Sequence, residues 1–340
     1  MPLPTVTLGA DGLRTTSLGF GCASLFRISS RAHRSVLLHT AYDSGLRHFD
    51  VAPMYGFGRA EHELGVFARR RRADVTIATK FGIKPTPAAR GLSYLQGPVR
   101  RLFAARSGIR DQARAHAAAP SRRLFVHGGF HAAGARRSLE RSLRALRTDY
   151  IDLFLLHDPV PGDVRSDDVR ACLEDVRSAG LIRSWGIAGD RGPTDEVTRS
   201  FDGAVPVRQL RDDIFLRSLQ PRPAEAAVIT FGVVASALTC VVDHVSADDS
   251  RRLRWKSAVD ADCGDPEVAA SFLLRAALRA NSSGVVLFSS TDPSHIRTAA
   301  ATPDILRSPE DPALDAFLLM VDAELRQEPS SGEVAVDHFR

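Results

Sequence analysis

Apolar stretches of strand length alternate along this chain with segments whose apolar residues recur at helical spacing. The strand-like runs lie near residues 16–21, 47–51, 74–79, 151–156, 182–187, 205–210, 228–234 and 284–288. Helical spacing separates most of them, as in segments 31–44, 135–146, 167–179 and 266–280. This alternation indicates parallel strands joined by helical crossovers, and eight such units can close into a barrel. We therefore predict one (β/α)8 (TIM) barrel domain over residues 1–340, with an open doubly wound sheet as the alternative.

Two local signals bear on that choice. Asp11-Gly12 between two short apolar segments predicts an N-terminal β-hairpin, which would close one end of a barrel. An open dinucleotide-binding sheet usually carries GxGxxG after its first strand, but GFGCAS at 19–24 has Ser24 at the third glycine. GFGRAE at 56–61 fails in the same way. The barrel is therefore favoured, with its chemistry at the ends of the strands.

Composition and charge narrow the class of protein. The chain has 340 residues, 44% hydrophobic and 25% charged, as in globular proteins, and no apolar run approaches the roughly 20 residues of a membrane span. The net charge of +5 is spread over dispersed arginines, and RRRR at 69–72 is typical of a solvated helix end. Four cysteines lie far apart without a CxxC motif, and the first residues lack the basic region and apolar core that a secretory signal is expected to have. We expect a cytoplasmic protein without nucleic-acid or membrane partners. Its oligomeric state is not indicated.

Three strands end in ionisable side chains. Asp50 closes the second strand, Lys80 the third and His157 the fourth, while Tyr55 lies in the loop after Asp50. In a barrel these ends converge at the catalytic face. An ammonium beside a phenol is expected to lower the phenol's pKa, so Tyr55 could protonate a developing alkoxide while Asp50 orients Lys80. His157 would direct the substrate oxygen, and a reduced nicotinamide must supply the hydride.

The same residues carry a family resemblance. FDVAPMYGFGRAEHELG, ATKFG and RRSLERSLRALRTDYIDLFLLHDP resemble, in order, the strand-2, strand-3 and strand-4 signatures of the aldo/keto reductase superfamily. That resemblance implies a (β/α)8 enzyme that reduces aldehydes and ketones with NADPH. It assigns Asp50, Tyr55, Lys80 and His157 to the catalytic tetrad.

The resemblance also implies a cofactor site. Gln209 resembles the glutamine that contacts the nicotinamide amide, and VLFSSTDPSHIR at 286–297 resembles the loop that holds the adenosine 2′-phosphate, with a helix beginning near Pro293. The alternative for Ser290 to Ser294 is an ordinary capping turn. The full set of expected cofactor-binding residues is Gly21, Cys22, Asp50, Gln209, Ser289, Ser290, His295 and Arg297.

Two positions depart from the family pattern. Ala188 and Gly189 stand where many members have Ser-Asn to grip the carboxamide, and Ala235 stands closest to the usual stacking aromatic, with Phe231 out of register. Both departures are expected to weaken nicotinamide binding or to leave it to backbone groups. No metal site is expected, because Gly128 and Gly129 separate His127 from His131 and prevent a rigid helical pair.

Residues 84–133, the basic insert, are absent from shorter family members. They contain nine Arg or Lys and one acid, Asp111. Part of the insert has the spacing of an amphipathic helix, through Val99, Leu102, Phe103, Arg106, Ile109 and Ala113. Because the insert leaves the third strand at the catalytic end, it is a candidate lid that forms the substrate pocket and favours an anionic carbonyl substrate. A solvated basic face is the alternative.

Two functions follow from these patterns. The first is an NADPH/NADP+-dependent oxidoreductase that reduces an aldehyde or ketone to an alcohol, with the proton from Tyr55. The second is a noncatalytic nucleotide-binding scaffold or regulatory subunit with the same barrel. The complete tetrad favours the enzyme.

Overall fold

The computed structural model describes residues 3–9, 12–89, 124–216, 227–305 and 310–326. Its strands, in chain order, are β1 (Thr5–Leu8), β2 (Leu13–Thr16), β3 (Leu18–Gly21), β4 (His48–Asp50), β5 (Thr76–Phe81), β6 (Ile83–Pro85), β7 (Phe125–His127), β8 (Ile151–His157), β9 (Ile182–Gly189), β10 (Val207–Arg211), β11 (Ala227–Phe231) and β12 (Val285–Phe288). Eight of them close a barrel in the order β10, β11, β12, β3, β4, β5, β8 and β9. The predicted barrel is confirmed, and the open sheet is wrong.

Ten α-helices accompany these strands in the part of the chain that the structure describes. They are α1 (Arg31–Asp43), α2 (Arg59–Ala68), α3 (Ala132–Leu146), α4 (Ser166–Ser178), α5 (Arg191–Ser200), α6 (Ala235–Ser246), α7 (Asp249–Val259), α8 (Pro266–Ala280), α9 (Pro293–Ile305) and α10 (Pro312–Glu324). The helix α3 begins earlier than its apolar spacing predicts. Its first turn is capped by His131, whose Nδ1 accepts from the Gly134 N–H at 3.2 Å. Histidine is not among the preferred capping residues, so the sequence carried no start signal there.

The N-terminal hairpin is also confirmed. β1 and β2 pair antiparallel from Thr5 opposite Thr16 to Leu8 opposite Leu13. A second antiparallel pair, β6 with β7, joins the two ends of the basic insert. The predicted amphipathic helix from Val99 to Ala113 and the tail from Gln327 lie outside the described residues. None of the helices within those residues has both the length and the apolar composition that a bilayer crossing needs.

The chain divides into two compact units. Among the described residues, the first comprises those within 3–21, 39–49 and 206–326, and the second comprises those within 22–38 and 50–205. The prediction of one domain over the whole chain stays a prediction.

The core of the first unit is a helical cluster built from α6, α7, α8 and α10. Trp255 is fully buried there, and the rings of Phe272 and Phe317 stack with centroids 5.0 Å apart. The helix α8 starts where its sequence predicts, because Pro266 occupies its first turn and the Asp265 carboxylate accepts from the Glu267 N–H at 2.7 Å. These aromatic contacts fix the helices of this unit against one another.

The core of the second unit lies along β5 and β8. Every residue of both strands is buried, as expected for parallel strands covered on both faces. The rings of Phe81 and Phe154 stack across the pair with centroids 4.8 Å apart. Lys80 therefore lies in a fully buried strand. Its charge is shielded from water and needs a partner within the protein.

One arginine of the RRRR cluster differs from the solvated helix end predicted by sequence. Arg72 donates to the carboxylate of Asp152 at 2.6 Å and to the Tyr150 carbonyl at 2.9 Å. Asp152 is buried and also accepts from the Ile77 N–H at 2.9 Å. Arg72 therefore anchors the starts of two strands. The two partners are far apart in sequence, so local periodicity could not reveal this ion pair.

Candidate active site

Asp50 and Lys80 form a buried ion pair in the second unit. Asp50 is the last residue of β4, and Lys80 lies near the end of the neighbouring β5. The Lys80 ammonium donates to both carboxylate oxygens of Asp50 at 2.6 Å and to the Val51 carbonyl at 3.2 Å. Burial would lower the pKa of Lys80, but the charge of Asp50, the interaction with Tyr55 and the hydrogen bonds to both together outweigh burial, and the pKa is raised. The ammonium is therefore charged at neutral pH.

The ring of Tyr55 lies next to this ion pair. Tyr55 begins a one-turn 3₁₀ helix, Tyr55–Gly58, and the Lys80 Nζ lies 5.3 Å from the centroid of its ring. The turn needs glycine at position 56, where φ is +56° and an added Cβ would come within 2.4 Å of the Phe26 ring. The Arg34 guanidinium covers that ring at 4.4 Å from its centroid. Phe26 therefore supports the backbone immediately after the phenol.

Arg34 is itself fixed by a second buried ion pair. Its guanidinium donates to both carboxylate oxygens of Glu63 at 2.6 Å and to the Ile28 carbonyl at 2.7 Å. Glu63 lies on α2, the helix that follows the turn of Tyr55. Bidentate pairs of this kind hold their partners in one orientation. Arg34 on α1 thus ties the 3₁₀ helix that carries Phe26 (Cys22–Arg27) to α2, and the sequence carried no signal for this pairing of two distant residues.

The pKa of Tyr55 corrects one expectation. The sequence suggested that Lys80 lowers it, and Lys80 does act in that direction. Burial of the phenol is the larger effect, and Asp50 and Asp158 add to it, so that the pKa is raised to about 12. Tyr55 therefore holds its proton at neutral pH. It suits a group that gives a proton to a strongly basic alkoxide and does not suit a group that is ionised beforehand.

His157 is the last residue of β8, and its ring meets the ring of Tyr55 edge-on at 6.2 Å between centroids. Burial, together with the positive charges of Lys80 and His127, lowers the pKa of His157 well below its usual value. The imidazole is therefore neutral at neutral pH. Its Nδ1 is buried and has no hydrogen-bond partner within the described residues. The structure thus brings together all four residues that the sequence assigned to the tetrad.

Asp158 belongs to the same site and was not singled out by sequence. Its carboxylate Oδ2 lies 3.8 Å from the His157 Nε2. Its φ is +45°, a conformation that non-glycine residues rarely adopt outside turns and functional sites. The one available sequence signal was its place directly after a histidine that ends a strand.

The base of the basic insert, formed by β6 and β7, packs against the turn that carries Tyr55. The ring of Phe57, two residues after Tyr55, stacks on Phe125 of β7 with centroids 5.6 Å apart and planes 7° from parallel. The ribbon of β6 and β7 therefore packs against the turn that carries the phenol. This contact, too, joins residues that are remote in sequence.

Two expected cofactor residues meet at the ends of β3 and β12, in the first unit. The Ser289 hydroxyl donates to the Gly21 carbonyl at 2.7 Å. A Cβ at position 21 would come within 2.6 Å of that hydroxyl, so the close approach needs glycine. Asp50 and Cys22, the other residues expected near the strand ends, lie in the second unit. Cys22 is fully buried, and burial raises the pKa of its thiol, which keeps it neutral.

The loop from Ser290 has the hydrogen bonds of a capping turn. The Ser290 hydroxyl accepts from the Asp292 N–H at 3.0 Å and lies 3.5 Å from the His295 Nδ1. Asp292 accepts from the Ser294 N–H at 2.7 Å, at the start of α9. His295 and Arg297 are exposed, and Arg297 carries a positive charge at this helix start. The helix itself begins at Pro293, as predicted.

Gln209 has the best local fit to an amide ligand. It is buried in β10, and its side-chain Oε1 has no hydrogen-bond partner within the described residues. A buried amide oxygen without a partner costs free energy, so a ligand N–H is the group that would satisfy it. Phe231 is engaged elsewhere, because Arg211 lies 5.4 Å from the centroid of its ring, and Ala235 is exposed.

Within the described residues, no group of three or more His, Cys, Asp or Glu side chains could hold a metal ion. His127 lies on β7, and His131 caps α3. The four cysteines, all of which lie in the described part of the chain, form no disulfide.

Comparisons with known proteins identify the family of the chain. Residues 17–191 match the model of the aldo/keto reductase family. The chain is 33% identical over 186 residues to a D-threo-aldose 1-dehydrogenase from a Pseudomonas species, which covers 52% of this chain and 51% of that protein. It is 33% identical over 195 residues to a pyridoxal 4-dehydrogenase from Microbacterium luteolum, which covers 53% of this chain and 54% of that protein. The matches thus span about half the length of these curated relatives.

The fold resembles that of solved structures over nearly the whole chain. An aldo-keto reductase from Klebsiella pneumoniae, solved in complex with NADPH, superposes with a TM-score of 0.63 at 22% identity. The alignment covers 94% of this chain and 96% of that one. At 22% identity, this similarity shows a shared fold only.

Proposed function

Since this chain belongs to the aldo/keto reductase family, we propose that it is an NADPH-dependent oxidoreductase that reduces an aldehyde or ketone to an alcohol. The observation that carries the proposal is the buried Asp50–Lys80 ion pair beneath the ring of Tyr55. The overall change is carbonyl plus NADPH plus a proton, giving the alcohol and NADP+.

Tyr55 donates the proton to the carbonyl oxygen. Its raised pKa keeps the phenol protonated until negative charge develops on the substrate oxygen. As the proton leaves, the Lys80 ammonium stabilises the phenolate, and Asp50 keeps the ammonium in place through two hydrogen bonds. Bulk solvent then returns a proton to Tyr55. A positioned general acid of this kind typically contributes about 10²–10⁴-fold to the rate.

His157 directs the carbonyl oxygen. Because its pKa is lowered, the imidazole is neutral, and one ring nitrogen can donate an N–H to the oxygen without competing as an acid. Its edge-on packing against Tyr55 sets the direction from which that N–H would point. The main contribution that we assign to Tyr55 and His157 together is to orient the carbonyl oxygen with two hydrogen-bond donors.

We propose roles in cofactor binding for three of the expected residues, Gln209, Gly21 and Ser289. Gln209 would accept a hydrogen bond from the nicotinamide amide, which its unpartnered buried oxygen supports. Gly21 and Ser289 provide close approach and a hydroxyl at adjacent strand ends. When bound, the reduced nicotinamide supplies the hydride that the side chains of this chain lack.

We assign the preference for NADPH over NADH to the start of α9. Ser290, His295 and Arg297 would hold the 2′-phosphate, supported by the exposed positive charge there and by the helix N-terminus. The carboxylate of Asp292 at the same turn opposes a phosphate. A comparison of NADPH and NADH affinities for Arg297→Ala tests the assignment, because loss of NADPH affinity alone is expected.

The substrate is a small carbonyl compound, and the basic insert is a candidate lid over it. The stacking of Phe57 on Phe125 supports the lid, since it joins the insert's base to the turn of Tyr55. The anionic preference expected from the insert's charge depends on residues 90–123, which lie outside the described residues. Deletion of residues 90–125 is expected to raise KM for the substrate. An unchanged substrate affinity would reject the lid.

Titration of the purified protein with NADPH, followed by fluorescence, measures cofactor binding. The absorbance of NADPH across a panel of aldehydes and ketones then measures turnover, and NADP+ with alcohols covers the reverse direction. We expect Tyr55→Phe to bind NADPH normally and to lose at least about 10²-fold in kcat. Tyr42→Phe, a tyrosine on α1, is the matched control.

Turnover that survives in Tyr55→Phe would contradict the assignment of the acid. Binding without turnover on any substrate would favour the second function, a noncatalytic nucleotide-binding subunit. The absence of both binding and turnover would reject the two functions together.

A further inference from the structure

Asp158 is held in an unfavourable backbone conformation at the end of β8. Its φ of +45° falls in the left-handed region, which aspartate and asparagine tolerate better than other non-glycine residues. Its N–H donates to the Ala188 carbonyl at 2.7 Å, which continues the pairing of β8 with β9. This hydrogen bond fixes the backbone of Asp158, and the left-handed conformation of that backbone sets the direction of the Asp158 side chain. Strain at a strand end beside a candidate tetrad calls for a functional explanation.

The carboxylate occupies space that glycine leaves open at position 189. A Cβ there would come within 2.9 Å of the Asp158 Oδ1 and within 3.2 Å of the Thr194 hydroxyl oxygen. Gly189 does not have a positive φ, so backbone conformation does not require glycine. The requirement is one of space. Asp158 and Gly189 therefore act together, since the small residue on β9 admits the carboxylate from β8.

The position of the carboxylate brings it close to the groups that would bind the carbonyl. Its Oδ2 is 3.8 Å from the His157 Nε2, and about half of its side chain surface (53%) is exposed. Its charge also raises the pKa of Tyr55. A group bonded to the carbonyl carbon would therefore lie next to a negative charge.

We propose that Asp158 is a specificity-determining residue that accepts a hydrogen bond from a hydroxyl on the carbon next to the carbonyl. The favoured substrates are 2-hydroxy aldehydes and 2-hydroxy ketones, and 2-oxo acids are disfavoured. The inference rests on the proposed carbonyl reduction at this site. It also opposes the anionic preference expected from the basic insert.

The distances suit a 2-hydroxy carbonyl compound. Its hydroxyl and carbonyl oxygens are separated by about 2.8 Å when they lie on the same side, roughly the length of one hydrogen bond. An oxygen bound to the His157 Nε2 thus places the hydroxyl within reach of a carboxylate oxygen 3.8 Å from that same nitrogen. A substrate carboxylate in that place would face a like charge with partial desolvation, which is unfavourable.

Three methyl ketones of similar size isolate this contact: hydroxyacetone, butanone and pyruvate. Glycolaldehyde, propanal and glyoxylate form the corresponding aldehyde set. We expect the wild-type protein with NADPH to favour the hydroxylated member over the apolar member by about tenfold or more in kcat/KM, as for a hydrogen bond to a charged group. The carboxylated member should be the poorest of the three.

Variants of Asp158 and Gly189 test the assignment through the ratios of kcat/KM between the three substrates. A folding defect would lower all three kcat/KM values alike and leave these ratios unchanged. Asp158→Ala should lose the hydroxyl preference. Asp158→Asn tolerates the same φ and keeps an acceptor oxygen, so it should retain part of the preference and accept the carboxylated substrate better. Gly189→Ala leaves the charge unchanged and displaces the Asp158 Oδ1, so it should also lower the hydroxyl preference.

The possible outcomes distinguish the role of Asp158 from the carbonyl reduction on which it rests. If the wild type turns over carbonyl compounds without a hydroxyl preference, or if Asp158→Ala keeps the wild-type ratio, the role of Asp158 is overturned and the reductase stands. If the wild type turns over neither set, nor any compound of the wider panel, the reductase and the role of Asp158 fall together.

Discussion

Removal of the Lys80 charge tests the buried ion pair directly. Lys80→Met keeps a long unbranched side chain and leaves the Asp50 carboxylate without the two hydrogen bonds of 2.6 Å that it now accepts from the ammonium. The two side chains are 2% and 4% exposed, so water cannot replace the lost partner without rearrangement. Breaking one side of such a pair costs about 3–5 kcal/mol of unfolding free energy. Asp50→Asn should cost a comparable amount for the opposite reason, since it strands the ammonium.

The double variant Asp50→Asn with Lys80→Met removes both charges at once. The double variant leaves no uncompensated charge, but the amide introduced at position 50 stays buried opposite an apolar side chain, so we expect it to lie within about 1–3 kcal/mol of the wild type. The coupling between the two sites should therefore be several kcal/mol, well above the roughly 0.5 kcal/mol that independent sites show. Carbonyl reduction should be lost in all three variants, because none retains the ammonium held by a carboxylate.

Urea unfolding followed by circular dichroism and by tryptophan fluorescence measures these values, with Trp185 reporting from the same unit as the pair. Additive losses in the double variant would refute the reasoning, since the two charges would then not compensate each other. Recovery of stability without recovery of activity would support it and would separate the structural role of the pair from its role in proton transfer.

Three further predictions follow from the geometry. Because the pKa of Tyr55 is raised to about 12, the phenol is protonated below that pH and loses its proton above it. We therefore expect kcat/KM for reduction to vary little between about pH 6.5 and 9. A fall in kcat/KM centred near pH 7.5 would contradict the role of the phenol. Burial would raise the pKa of Glu324, but hydrogen bonds from His244, Trp255 and Arg254 lower it to about 2, so its stabilisation is complete above the usual carboxyl pKa and is lost as the pH falls toward 2; Glu324→Gln should therefore destabilise the protein more at pH 7 than at pH 3, as measured by urea unfolding. Gly65→Ala would place a Cβ 2.4 Å from the Leu146 carbonyl oxygen and should cost at least about 1–3 kcal/mol, whereas Gly192→Ala, with open space around it, should leave the melting temperature equal or higher.

Much of the fold follows from local sequence patterns. All eight barrel strands lie where apolar runs predict them, and helices such as α8 start at their capping residues, because strand and helix periodicities and caps are properties of neighbouring residues. The hairpin at the N-terminus was predicted for the same reason. The start of α3 was missed where a histidine provides the cap.

The proximity of the four candidate residues was also accessible from the sequence, since Asp50, Tyr55, Lys80 and His157 each stand at or near a strand end, and the ends of parallel strands share one face of a barrel. What these groups do to one another was accessible only in part. The sequence indicated that Lys80 would lower the pKa of Tyr55. The opposite net result depends on desolvation, which is set by the atoms packed around the phenol and has no counterpart in residue spacing.

The sequence by itself determined the succession of strands and helices, and with it the set of ionisable groups at the strand ends. Only the tertiary structure decided which distant residues meet: Arg72 with Asp152, Phe57 with Phe125, and the carboxylate of Asp158 in the space above Gly189. Periodicity and capping are short-range properties of the chain, whereas burial, ion pairing and the room around a side chain arise from contacts between segments that only folding brings together.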